Sequence, residues 1–183
     1  MNIKNKASLD SLLLIGSTAR SAGKTTLACR IIDKFKDKKI IAIKIAAIRT
    51  TDLKNHKELG IDKKGFAILE ETEKTTNKDT SRMLTAGAKK AFLLCAKKEN
   101  LNNAIECLLE KMPKDTIFIC ESNSLRKILE PAVFVIVKGK GRIKPSAGQV
   151  LNYADRVIKS NEDDFASVLE DLKIKGCSWS IKD

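Results

Sequence analysis

The chain has 183 residues, 43% hydrophobic and 32% charged, which is ordinary for one globular domain with a substantial core. No apolar run approaches the ~20 residues that span a bilayer, and the N-terminus lacks an apolar secretory segment, so a cytoplasmic location is expected. The net charge of +12 admits an anionic ligand, but with aromatics at only 4% no basic stripe interleaves with stacking rings, so the lysines are read as a solvated surface suited to polyphosphate rather than to nucleic acid.

In chain order, the apolar run Leu12 to Ile15 is expected to be a buried strand, and Thr25 to Phe35 carries helical apolar spacing. The isoleucine-rich stretch Lys39 to Ile48 is the second expected strand. Arg49 to Lys78 is polar and long for a plain connection, so it is read as a lid or a small hairpin within one domain spanning residues 1–183. Asp79 to Ala88 is expected to be a helix capped by Asp79, with Gly87 near its end. Lys90 to Ala96 reads as a strand, and Leu101 to Met112 as an amphipathic helix that stops before Pro113. Asp115 to Ser122 and Ala132 to Val137 are further strands. Ser146 to Ala154 is a short helix, and Asp155 to Lys159 a short strand. A closing helix, Asp163 to Ile174, starts with acidic residues that suit its dipole. Continuous apolar strands separated by helices indicate an α/β fold with a mostly parallel sheet and helices on both faces.

Between the first strand and first helix lies Thr18-Ala19-Arg20-Ser21-Ala22-Gly23-Lys24-Thr25-Thr26. A buried strand, a tight small-residue turn and a helix start together form an anion cradle from backbone N–H groups. Lys24 supplies a compact charge for the β- and γ-phosphates, the Thr25 hydroxyl is a Mg²⁺ ligand, and Gly23 lets the backbone approach the phosphates. A strict P-loop has glycine where this chain has Thr18. Arg20 is read either as a phosphate contact or as surface charge. Glu121 stands where an apolar strand ends, the position of a Mg²⁺-linked carboxylate in such a sheet. Asn123, in the polar loop that follows, is read as a substrate or metal contact, or as a cap for a short helix at Leu125 to Leu129. Lys44 is read as a phosphate or substrate contact or as a surface lysine. Asp79 and Arg82 share a helix face and either pair or serve the nucleotide site. His56 has no nearby histidine or cysteine and is not expected to bind metal. The five cysteines, Cys29, Cys95, Cys107, Cys120 and Cys177, form no CxxC pair and are expected to be reduced thiols.

The stretches "GSTARSAGKTTLACRII", "IIAIKI", "KDTSRMLTAGAKKAFLL" and "IFICESNSLRKILEPAVFVIV" resemble the molybdopterin-guanine dinucleotide biosynthesis adaptor (MobB-like) family over Leu12 to Val137. That family belongs to the P-loop NTPase branch that includes dethiobiotin synthetase, whose loop also carries threonine at the position of Thr18. The resemblance implies a three-layer P-loop NTPase sandwich, binding of GTP or ATP with Mg²⁺, a homodimer and slow hydrolysis in the service of a cofactor-biosynthesis enzyme. It places the motif positions at Gly23-Lys24-Thr25, Lys44, Asp79 with Arg82, and Glu121. The family's histidines after the second strand are replaced here by Ile45-Ala46-Ala47, and no Asn-Lys-x-Asp element selects guanine. The alternatives are an ATP-dependent small-molecule ligase or kinase of the dethiobiotin synthetase type, and a nucleic-acid binder. With one histidine and no catalytic dyad in sequence, Lys24 and Glu121 are the expected catalytic residues, and unassisted turnover is expected to be slow.

Overall fold

The structure, a computed structural model, describes residues 7–47 and 65–182. Seven strands form one sheet in the order β3-β4-β2-β5-β1-β6-β7. They are β1 (Ala7–Ser17), β2 (Ile41–Ala47), β3 (Phe66–Glu70), β4 (Lys90–Ala96), β5 (Phe118–Glu121), β6 (Leu129–Lys138) and β7 (Arg156–Lys159). Every pairing is parallel except β3 with β4. The central strands are apolar on both faces because both faces are covered. In β1, Leu13 and Ile15 enter the core under α1 (Lys24–Lys34), α2 (Asp79–Thr85) and α5 (Glu162–Asp171), while Leu12 and Leu14 enter the opposite core under α3 (Leu101–Glu110). The three layers match the α/β architecture expected from the alternating pattern.

β1 lies between β5 and β6, and β2 lies on the far side of β5. The chain therefore leaves β1 toward one edge and later returns to the other side, and the crevice at such a reversal opens at the carboxyl ends of the strands. The loops after β1, β5 and β6 meet there.

Two regions differ from the sequence expectation. Within the polar stretch 49–78, Phe66–Glu70 is an edge strand of the main sheet, with Phe66 and Ala67 buried; residues 49–64 and His56 lie outside the described residues. The closing helix ends at Asp171, three residues short of Ile174, and the chain turns into a hairpin of β8 (Leu172–Lys175) and β9 (Ser178–Ile181) through Gly176 at φ +60°. Trp179 explains the hairpin: its buried indole meets Phe35 edge-on at 5.4 Å, and its Nε1–H donates to the Phe118 carbonyl at 3.0 Å. Among the described residues no helix is long and apolar enough to cross a membrane.

Candidate nucleotide site

Residues 18–23 link the end of β1 to α1, whose first turn holds residues 24–26. The turn takes its left-handed backbone at Ser21 (φ 51°) and Gly23 (φ 86°), not at Thr18. Threonine at 18 therefore needs none of glycine's freedom. Its polar groups hold the loop against the segment after β6. The Thr18 hydroxyl accepts from Gly139 N–H at 2.9 Å, its N–H donates to the Val137 carbonyl at 3.1 Å, and its carbonyl accepts from Lys144 N–H at 2.8 Å. Gly139 is needed for this approach, since a Cβ there would lie 2.6 Å from Ala19 Cβ and 2.9 Å from Ala22 Cβ. Ala19 and Ala22 are buried, whereas Arg20 and Ser21 are exposed.

Gly23, preceding α1, offers no capping side chain. The N–H groups that open a helix have no intrahelical partner, and with the helix dipole behind them they suit an anion. Lys24 lies at this mouth with its Nζ donating to Ser17 Oγ at 2.9 Å. Burial holds its pKa below the ordinary lysine value, the Glu121 charge opposes that shift, and Lys44 and Lys144 add to it.

Sheet register assembles the rest. Lys44 of β2 pairs directly with Glu121 of β5, and Glu121 with Ile15 of β1, so the two charged side chains leave the sheet on the α1 side. Lys44 does not end its strand; β2 continues to Ala47. Lys44 Nζ stands 2.7 Å from Glu121 Oε2 and 2.7 Å from Asp79 Oδ2, and Asp79 Oδ1 accepts from the Thr25 hydroxyl at 2.9 Å. Thr25, Lys44, Asp79 and Glu121, drawn from four different elements, thus form one connected group. Burial alone would lower the Lys44 pKa, but the Glu121 charge and the bonds to both carboxylates carry it above the usual value. Burial likewise opposes, and the Lys44 bond overcomes, a shift that leaves Asp79 below the carboxylate range.

The Glu121 side chain is fully buried, and its Oε1 has no hydrogen-bond partner. A buried carboxylate oxygen left this way needs a donor or a cation. The set formed by the Thr25 hydroxyl, Asp79 and Glu121 is all-oxygen, as Mg²⁺ prefers, and is too sparse for a cage without waters and phosphate oxygens. The residues present therefore fit Mg²⁺, whose other ligands would have to come from water or a bound ligand. Among the described residues no group of three or more His, Cys, Asp or Glu side chains is placed to hold a metal ion.

Arg82 and Asn123, also expected at the site, have other surroundings, as does the neighbouring Arg126. Arg82 reaches the Thr26 hydroxyl at 3.4 Å across the α1–α2 contact. Asn123 clamps the end of β1, accepting from Ser17 N–H at 2.8 Å and donating to the Ser17 carbonyl at 2.9 Å. Arg126 is buried, pairs with Glu130 at 3.1 Å and lies over the Tyr153 ring at 5.0 Å.

A cleft of about 390 Å³ opens beside Lys24, Lys44 and Glu121, lined further by Arg20, Asn123 and Lys144, among others. A slightly larger hollow of about 420 Å³ lies on the other flank of α1, around Cys29 and Arg82, away from Glu121 and Lys44. Sequence reasoning did not single out Lys144. It sits in a run of basic residues that reads as solvated surface, and its bonds to Thr18 and Ser17 bring it to the loop. Lys138, the last residue of β6, is exposed.

Neither a scan of family models nor a search of curated proteins returns a match. Among solved structures, the chain is similar to a crystal structure of LpxK from Aquifex aeolicus in complex with ATP. The two share 17% identity with a TM-score of 0.50 over 85% of this chain, which spans about half of that protein (50%). The likeness is one of fold, a mostly parallel sheet with helices on both faces. Residues 18–26 occupy the turn between β1 and α1, together with the first residues of α1.

Proposed function

We propose that this protein binds a nucleoside triphosphate with Mg²⁺ at residues 18–26 and hydrolyses its terminal phosphoanhydride slowly. The observation that carries the reading is the convergence of Lys24, Thr25, Lys44, Asp79 and Glu121 at the mouth of the loop. Backbone N–H groups and Lys24 hold the phosphates, and the Thr25 hydroxyl, Asp79 and Glu121 hold the metal. Mg²⁺ would supply charge neutralisation on the phosphate oxygens. Lys44 now bridges the two carboxylates. From there its ammonium would face the terminal phosphate, where negative charge gathers during transfer. The attacking water forms the new P–O bond, the bridging P–O bond breaks with its electron pair leaving on the nucleoside diphosphate, and the water's proton passes to solvent. Glu121 is engaged by Lys44, so no free strong base is on hand and unassisted turnover is slow.

Phosphate release from MgATP and MgGTP tests this. Turnover well below the ~1–100 s⁻¹ of kinases, lost in Lys24→Ala and without Mg²⁺, is expected. Turnover unaffected by Lys24→Ala refutes it. The sequence resemblance supports a setting in which a homodimer assists the enzyme that completes molybdopterin-guanine dinucleotide; acceleration of GTP hydrolysis by that enzyme would be its signature.

The cleft supports a second reading, phosphoryl transfer to a small acceptor. The cleft of about 390 Å³, which Lys24 itself lines, falls within the range of small-ligand pockets. Nucleotide consumption that depends on an added small acid selects this reading over hydrolysis alone.

A further inference from the structure

The nucleotide reading gives side-chain roles to Lys24 and Lys44 and none to two other cationic side chains at the cleft. Arg20 projects from the loop, and Lys144 sits on the segment held to the loop through Thr18. Among the described residues no carboxylate forms an ion pair with either. Lys144 Nζ lies 3.4 Å from Ser17 Oγ, the same neutral hydroxyl that accepts from Lys24 Nζ at 2.9 Å. Two ammonium groups thus share one uncharged oxygen. Burial, with the charges of Arg20 and Lys44, lowers the Lys144 pKa. The carboxylate in the cleft lining, Glu121, is held by Lys44, so the charges of Arg20 and Lys144 are left for a further anion to offset. A nucleotide's terminal phosphate meets Lys24 and leaves Arg20 and Lys144 for a second anion.

The rest of the lining sets the class of ligand. Ser122, Asn123, Ser124 and Ser146 are polar, and Ile45 is the apolar residue among the lining side chains. Such walls reject an acyl or aromatic body and favour a compact, hydrogen-bonding one.

We propose that Arg20 and Lys144 form an oxyanion subsite beside the phosphate loop, which takes the carboxylate or phosphate of a small polar second substrate. The subsite rests on the nucleotide reading and completes its acceptor side. Lys144 holds the acceptor's anionic end, and Asn123 and Thr18 hold the two loops at fixed separation.

The test fills the nucleotide site first, with Mg²⁺ and a non-hydrolysable ATP analogue at saturation, and then titrates inorganic phosphate and malonate while melting is followed. The wild-type protein should gain a further, saturable rise with one or both anions, phosphate alone indicating a phosphate-bearing substrate and malonate alone a carboxylate. Lys144→Met should weaken that second binding about tenfold or more, the loss of one charge-assisted bond, and weaken the analogue less than threefold. Lys144→Arg should restore most of it. No anion-dependent rise in the wild type, or an equal rise in Lys144→Met, overturns the subsite. If the analogue does not bind while the anions still bind through Lys144, the nucleotide reading falls and the anion site stands.

Discussion

Lys44→Met tests the connected charges at the centre of the site. Methionine keeps most of the side-chain volume and removes the ammonium. The Glu121 side chain is 0% exposed and already has one unpartnered oxygen, so the change strands its second oxygen as well. Breaking a buried pair by removing one partner costs about 3–5 kcal/mol. Asp79, at 37% side-chain exposure, keeps its bond from Thr25 and adds less than about 1 kcal/mol. For a chain of this size each kcal/mol moves the melting point by roughly 2–4 °C, so a fall of about 6–20 °C is expected. Differential scanning calorimetry measures it directly. In a Glu121→Gln background the buried charge is absent, and Lys44→Met should cost about 1 kcal/mol or less. A fall under about 2 °C, or equal falls in both backgrounds, refutes the claim that Glu121 is a buried anion held by Lys44.

Gly139→Ala places a Cβ 2.6 Å from Ala19 Cβ, so urea melts should show a loss of about 1–3 kcal/mol together with weaker nucleotide binding. Trp179→Ala removes a buried ring and its bond to Phe118, for which the same melts should give about 3–5 kcal/mol with nucleotide affinity largely kept. Cys177 is exposed on the hairpin turn, whereas burial pushes the Cys29 thiol up to about 11; at pH 8 about one Cys29 in a thousand is thiolate, so iodoacetamide with mass spectrometry should find Cys177 modified long before Cys29.

The loop and Glu121 were legible in sequence because each follows an uninterrupted apolar run, and a buried parallel strand announces its own end. The pairing of Lys44 with Glu121 was not, because it depends on β5 lying beside β2, a matter of strand order that neither segment encodes alone. Asp79 was read as a helix cap, an Arg82 partner or a residue serving the nucleotide site; its partners, Thr25 and Lys44, come from two other elements that the sequence alone does not bring together. Thr18 looked like a defect in the motif, yet the glycine-demanding torsions fall at Ser21 and Gly23, which spacing cannot reveal. The Leu172–Ile181 hairpin was hidden because Leu172 and Ile174 fit the end of a helical period as well as a strand's alternation, and only Trp179 packing decides between them. Phe66–Glu70 was lost in the polar composition around it.

The most direct measurement is a thermal shift with MgATP and MgGTP on the wild type and on Lys24→Ala. At a hundred times the dissociation constant, bound nucleotide adds about 2.7 kcal/mol, a rise of roughly 5–11 °C. The account predicts that rise in the wild type with at least one of the two nucleotides, and its near-complete loss in Lys24→Ala. Equal rises in both proteins, or none in either, contradict it.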